Sequence, residues 1–393
     1  MSEMDFARTM RRSEGYGGCD DEMAKRVYIG VGGKARKVKK IYIGVAGVAR
    51  KVKKAYIGVG GVARLCFSSQ PEVALHLTST PFTDYASKPN GYYDYFSVAA
   101  AGNIAVYTSY GDSTAIGNTL AVSTLTPAPN MYVNDTGALS TGNYAVFLSG
   151  YNHDTSKYVY TGFAYDASGT LTSLSNVPAV RGANRAATTL GGSHGFCFGA
   201  TDINGNFSSA GAHCDSSLTI NSVYLDARAG SLAGASNSAY AVFGGGTYSS
   251  ARAYVRAFNI SGVSTDADTL NVARYRLAAA NIGDYVIFAG GYTGSADTNA
   301  VDIYDASLTH SVGTGLTVIG AASGVVGCGL DQVAMFFNDL AAGGSSELFD
   351  ASLTQFPGPV TPASDTAGWG RAVRCGQFMF YRYGPKFQAF YEV

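Results

Sequence analysis

The feature that most constrains this 393-residue chain is a loose repeat of short apolar segments, each ending in an aromatic residue. It appears as Ile104-Ala-Val-Tyr107, Tyr144-Ala-Val-Phe147 and Phe196-Cys-Phe198. It returns as Tyr240-Ala-Val-Phe243, Tyr285-Val-Ile-Phe288, Val333-Ala-Met-Phe336 and Phe378-Met-Phe380. The closing aromatics stand 40, 51, 45, 45, 48 and 44 residues apart. Short runs of β-branched and aromatic residues read as strands. A second mark follows each one: Tyr165-Asp166, Cys214-Asp215, Phe258-Asn259, Tyr304-Asp305 and Phe349-Asp350, with Val122-Ser123 and Tyr391-Glu392 taken as the same place in the first and last units. Asp or Asn there can bond its own backbone two residues on and start a turn. A third mark is Arg with small residues (Arg185-Ala-Ala, Arg228-Ala-Gly, Arg274, Arg371-Ala-Val), which suits an inner strand where units converge on an axis.

Seven such units predict an all-β chain: a seven-bladed β-propeller, since radial repetition leaves few open sheet edges. Composition agrees, with 50 Gly, 27 Tyr and 20 Phe against 10 Pro. The last unit ends after its third strand, near Phe387 to Glu392. The alternating segment Val73-Ala-Leu-His-Leu-Thr78 is therefore expected to supply its outer strand and close the ring. The pattern of Arg with small residues, an apolar strand with Gly-Gly, then Tyr-Asp and a turn resembles kelch repeats. The lone Trp369 does not occupy the kelch Trp position after the Tyr-Asp turn.

A second, shorter repeat precedes the blades. Tyr28-Ile-Gly-Val31 recurs as Tyr42-Ile-Gly-Val45 and Tyr56-Ile-Gly-Val59, and Lys37-Val-Lys-Lys40 recurs as Lys51-Val-Lys-Lys54. The period of fourteen is even, so equivalent residues keep one side of an extended chain. The Gly-rich links suit hairpin turns. Residues 1–66 hold 15 Lys/Arg against 6 Asp/Glu, a net +9, and residues 67–393 hold 13 against 22, a net −9. This asymmetry divides the chain into a polar segment 1–24, a basic β-repeat segment 25–66 and a propeller 67–393. Units so short bury no core of their own, so Tyr28, Arg36, Tyr42, Arg50, Tyr56 and Arg64 are read as docking and assembly residues, in an oligomer of the chain. Identical short units suit protein docking better than nucleic acid, which is not expected as a partner. The string Lys51 to Arg64 resembles repeats near the N-termini of bacteriophage and prophage tail-region proteins. That resemblance implies a virion protein that attaches to other virion proteins.

Catalytic chemistry is sparse. The five histidines show no ligand spacing, and no metal or cofactor is expected. Gly191-Gly-Ser-His-Gly195 fits GxSxG but falls in a tight turn between strands, not at a strand-to-helix elbow. The chain is therefore read as not an enzyme. With no signal peptide or membrane-spanning run, it is expected to be made in the host cytoplasm and to reside in the virion, without membrane insertion. Loops joining second to third strands are rich in Tyr, Asn, Asp and Ser, which suits recognition. Tyr151, His153, Asp154, Tyr248, Tyr292, Asp297, Asn299, Asn338 and Asp339 are the ligand candidates, for a host-surface glycan or protein. Two alternatives stay open: a purely structural decoration or assembly protein, and a carbohydrate-active enzyme on a propeller.

Overall fold

The computed structural model describes short strands between residues 28 and 77, then residues 97–393 apart from 110–111, 128–132, 135–136, 153–156, 176, 179–185, 202–206, 320–321, 323, 339–343, 360–370, 384–385 and 393. The described part is all β. The chain divides into two units, Met1–Pro71 and Glu72–Val393. In the first, three hairpins pair Tyr28–Val31 with Lys34–Lys37, Tyr42–Val45 with Val48–Lys51, and Lys54–Val59 with Val62–Ser68. The register sets Ile29, Ile43 and Ile57 opposite Arg36, Arg50 and Arg64, while Tyr28 and Tyr42 face Lys37 and Lys51. Two-stranded pairs of this size are marginal by themselves in water.

The second unit is a propeller of seven antiparallel blades. The innermost strands, in chain order, are Ser97–Ala101, Gly137–Ser140, Ala186–Leu190, Gly230–Ser236, Ala278–Ile282, Val325–Gly329 and Arg371–Cys375. Each blade runs outward from there in chain order. In blade seven, Phe378–Tyr383 and Lys386–Glu392 follow, and Val73–Leu77 pairs antiparallel with Lys386–Glu392 as the outer strand. Residues from the two ends of the unit thus share one sheet, which covers the edge that Lys386–Glu392 would otherwise expose.

Seven apolar clusters hold the ring, one between each pair of neighbouring blades. Between blades one and two lie Val106, Phe147, Phe163 and Tyr165. Between four and five lie Val242, Phe288 and Tyr304, and blade seven closes on blade one through Phe380, Ala389, Tyr107 and Ile116. Tyr107, Phe147, Phe243, Phe288 and Phe336 all face the preceding blade. Truncating one such Phe to Ala costs about 3–5 kcal/mol.

This facing rule corrects the repeat marks in three places. In blade three the residue facing blade two is Cys197, whereas Phe196 and Phe198 face blade four. In blade seven it is Tyr381, whereas Phe378 and Phe380 face blade one, and the residue equivalent to Tyr304 is Phe390 rather than Tyr391. A one-residue slip along a strand moves a side chain to the other face of the sheet. In blade one the turn after the third strand is at Gly117–Leu120, because the Leu120 N–H donates to the Gly117 carbonyl. Val122-Ser123 belongs to the outer strand, Val122–Thr124.

The Asp/Asn marks are turn formers. In Asp166, Asp215, Asn259, Asp305 and Asp350 one side-chain oxygen accepts the backbone N–H groups two and four residues on, at 2.8–3.0 Å. The residue three positions on has positive φ. It is Gly in two turns and Leu218, Leu308 and Leu353 in the others. These leucines cost about 1–2 kcal/mol of backbone strain, offset by packing into the inter-blade clusters.

The clasp yields a test. Removing residues 1–71 is expected to leave a folded monomeric propeller, whereas removing 1–77 strips the outer strand and exposes an edge. The shorter chain should melt lower and self-associate in size-exclusion chromatography; equal behaviour of the two truncations would refute the clasp.

Candidate functional site

The third strand of each blade carries a position two residues before the turn-proximal residue. In blades four to seven it is polar: Arg256, Asp302, Glu347 and Gln388. Arg256, Asp302 and Glu347 bind the segments that lead into their own blades, whereas the Gln388 amide is buried without a hydrogen-bond partner among the described residues. Asp302 is fully buried; its Oδ2 lies 2.6 Å from Arg274 Nη1, and its Oδ1 accepts the Asn271 N–H at 2.7 Å and meets His310 Nε2 at 2.7 Å. Burial works against the Arg274 charge, and the Asp302 carboxylate works for it. Glu347, also buried, accepts the N–H groups of Thr317, Val318 and Ile319 at 2.9–3.3 Å. Arg256 pairs with Asp226 and Asp266. Repetition of one role at one position marks these charges as blade anchors, although an Asp–His–Arg cluster could be read as catalytic in isolation.

The axis of the ring holds a cavity of about 510 Å³, lined by the innermost strands of all seven blades and by the turns that follow them. Most of its lining is Gly and Ala, so the strands converge closely. Its hydroxyls stitch blade to blade. Ser140 Oγ accepts the Ala100 N–H at 2.7 Å, Thr189 Oγ1 donates to the Ser140 carbonyl at 2.9 Å, and Ser236 Oγ donates to the Thr189 carbonyl at 2.6 Å. Cys328 lines it too, but burial pushes its thiol up to about 12, so it stays protonated near neutral pH. Arg374, a cation of the lining, is paired with Asp331. Among the described lining residues there is no Asp, Glu or His.

The opposite chemistry appears on the face where second-to-third-strand loops meet the segments entering the blades. Tyr248, at the end of Ala241–Tyr248, is 40% exposed. Its ring is met edge-on by Phe207 at 5.7 Å, and the Arg252 guanidinium sits over it at 5.4 Å. Gly245 and Gly246, both at positive φ, turn the chain there. A Cβ on Gly245 would lie 2.7 Å from the Arg274 carbonyl, so only glycine fits. The Arg252 carbonyl accepts the Arg274 N–H at 3.0 Å, which fastens this loop to the segment bearing Tyr275. Tyr275 and Tyr292 then exchange backbone hydrogen bonds and meet edge-to-face at 5.5 Å, with Arg276 over Tyr275 at 5.8 Å. Three tyrosines and two guanidinium groups thus line adjacent loops of blades four and five.

Of the sequence candidates, Tyr248 and Tyr292 fall in this platform. Asp297 is exposed and bridges Tyr292 through the backbone. Asn299 is tied elsewhere, its amide donating to the Leu316 carbonyl at 3.2 Å. Asn338 ends the strand Val333–Asn338, and Tyr151 lies on Tyr144–Asn152. His153, Asp154 and Asp339 lie outside the described residues, as do residues 202–206. Tyr28, Arg36, Tyr42, Arg50, Tyr56 and Arg64 each sit on a strand of the three hairpins. Phe207, Arg252 and Tyr275 were not among the candidates. Gly191-Gly192-Ser193 forms the turn between the first two strands of blade three. Among the described residues no three His, Cys, Asp or Glu are grouped to hold a metal ion.

No family model matches the chain, and no curated protein matches it. Among solved structures the fold is similar to that of virginiamycin B lyase from Staphylococcus aureus, with a TM-score of 0.52 and 10% identity over 82% of this chain and 100% of that one. At that identity the likeness shows the fold alone. It does correct one expectation: the similar propeller is an enzyme, so reading this chain as not an enzyme finds no ground in its fold.

Two measurements check the charge assignments. Replacing Asp302 by Ala leaves buried Arg274 without its counter-charge and should cost about 3–5 kcal/mol in urea denaturation; adding Arg274→Met should recover much of that loss. His213 is buried, 2.9 Å from His194 through Nε2 to Nδ1 and stacked on Phe196 at 4.4 Å. Burial first, then the His194 charge, lowers its pKa. The unfolded chain therefore takes up the proton more readily, and stability should fall as pH drops below about 6.5. It should level off below the folded-state pKa, and His213→Phe should flatten that slope.

Proposed function

We propose that this chain is a virion component of the phage tail-region type, built on kelch-like blades, in which the propeller recognises a host-surface glycan or protein through its loop face. The observation that carries the recognition reading is Tyr248. A large amphipathic ring is held 40% exposed at a strand end, with Phe207 at its edge and Arg252 above it. An aromatic side chain fixed in this way offers contact area at low entropic cost. Its face suits the apolar face of a sugar ring or an apolar side chain of a protein partner. Tyr275 and Tyr292 extend the same surface.

The basic hairpins support the attachment half of the reading. Their sequence resembles repeats of tail-region proteins, and two-stranded units gain stability by packing on a partner. In this proposal Tyr28, Tyr42 and Tyr56, with Arg36, Arg50 and Arg64, dock the chain to other virion proteins or to further copies of itself. The chain is then made in the host cytoplasm and ends in the particle.

Binding of the full-length chain to host cells checks the recognition half. Saturable binding is expected, and Tyr248→Ala or Tyr292→Ala should weaken it by about tenfold or more, as for aromatic anchors of an interface. A folded chain that binds no host surface would move the propeller's role to contacts within the virion.

A further inference from the structure

We infer that the platform takes an anionic saccharide, with Arg252 as the residue that reads its negative group; this rests on the recognition reading above. The Arg252 backbone is fixed from both sides: its N–H donates to the Gly246 carbonyl at 2.9 Å and its carbonyl accepts from Arg274 at 3.0 Å. The side chain lies partly buried over the Tyr248 ring. Its Nε is buried without a hydrogen-bond partner, and no carboxylate or carbonyl among the described residues accepts from its guanidinium. Asp297, on the neighbouring loop, makes no ion pair with it.

The other half-buried or buried arginines of blades four and five are neutralised. Arg256 meets Asp226 and Asp266, and Arg274 meets Asp302. A partly desolvated guanidinium left without an acceptor is unfavourable in the free protein, and the missing group is an oxyanion. The guanidinium, with its Cζ 5.4 Å from the Tyr248 ring centroid, offers its planar fork for two parallel N–H···O bonds to a carboxylate or phosphate. The ring below offers its exposed part to the sugar that bears the charge. The ligand class is thus a saccharide carrying a carboxylate or a phosphate, and the chemistry of Arg252 alone accepts either.

Calorimetric titration of the full-length chain separates the sources with three probes: a uronic-acid oligosaccharide, a glycerol-phosphate oligomer and a neutral glucose oligomer. At least one charged oligomer should bind more tightly than the neutral one and lose affinity as salt rises, because a partly exposed ion pair is screened. Arg252→Gln should lower that affinity about tenfold or more and weaken the neutral oligomer distinctly less, and Arg252→Lys should fall between, keeping charge but losing the fork. If Arg252→Gln does not fold, Arg252→Lys and the salt dependence of the unaltered chain decide the matter. Equal binding of charged and neutral oligomers, or an Arg252→Gln chain that binds the charged oligomer as the original does, overturns the anionic assignment and leaves saccharide recognition standing. Absence of binding to all three, with host-cell binding retained, also overturns it and directs the platform to a protein. Absence of both removes the recognition reading itself.

Discussion

Packing of one sheet's face on the next is the interaction on which everything else in this propeller depends. Every blade has two apolar faces, and each is covered only if the neighbouring blade is present. The stabilisation is therefore cyclic, and a gap anywhere would expose two faces at once. That requirement explains the sharing of blade seven between Val73–Leu77 and the strands near the other end of the chain. It also explains the small residues at the axis. Seven inner strands can approach one another there because Gly234, Ala280 and Gly327 bring almost no side chain to the cavity, and the hydroxyls of Ser140, Thr189 and Ser236 then bridge adjacent blades.

Fold was legible in the sequence where local chemistry and global packing say the same thing. An Asp followed by Ser and Thr makes the same turn in any blade, so Asp166, Asp305 and Asp350 could be read directly. The aromatic marks were less secure, because facing is decided by register and not by residue type. Cys197 fills in blade three the place that Phe147 fills in blade two, and the aromatics beside it, Phe196 and Phe198, drew the mark onto the wrong face. In blade seven Phe378, Phe380 and Tyr381 are all aromatic, so composition could not choose between two registers one residue apart. Gly117 escaped notice as the turn former of blade one because its role there is carried by the backbone alone.

The site was legible as composition and not as geometry. Tyr248 and Tyr292 stand out as large residues in glycine-rich loops, and both lie where the strand order puts the loop face. Arg252 could not be recognised, because nothing in a sequence distinguishes an arginine with a carboxylate partner from one without. Arg256, four residues on, is likewise followed by Ala and an aromatic residue, yet it lies between two aspartates. Phe207 and Tyr275 join the platform from other loops, which only the assembled ring brings beside Tyr248 and Tyr292.

This contrast bears on where function can reside in a propeller. The interior spends its polar groups on itself: Glu347 and Asp302 hold the segments entering their blades, and the axial hydroxyls hold neighbouring strands. Groups so engaged are unavailable to a ligand without loosening the ring, and their substitution is felt first as lost stability. The loop face is under no such obligation. Tyr248 contributes little to any inter-blade cluster, and Arg252 neutralises no buried acid, yet both are held in place: Gly245 and Gly246 fix the backbone just before Tyr248, and the Arg252 N–H donates to the Gly246 carbonyl at 2.9 Å. Rigid placement without a structural debt is the condition under which a residue is free to be selected for binding. It also predicts how the two kinds of change should separate: substitutions at Asp302 should act through stability, and substitutions at Arg252 should act chiefly through affinity.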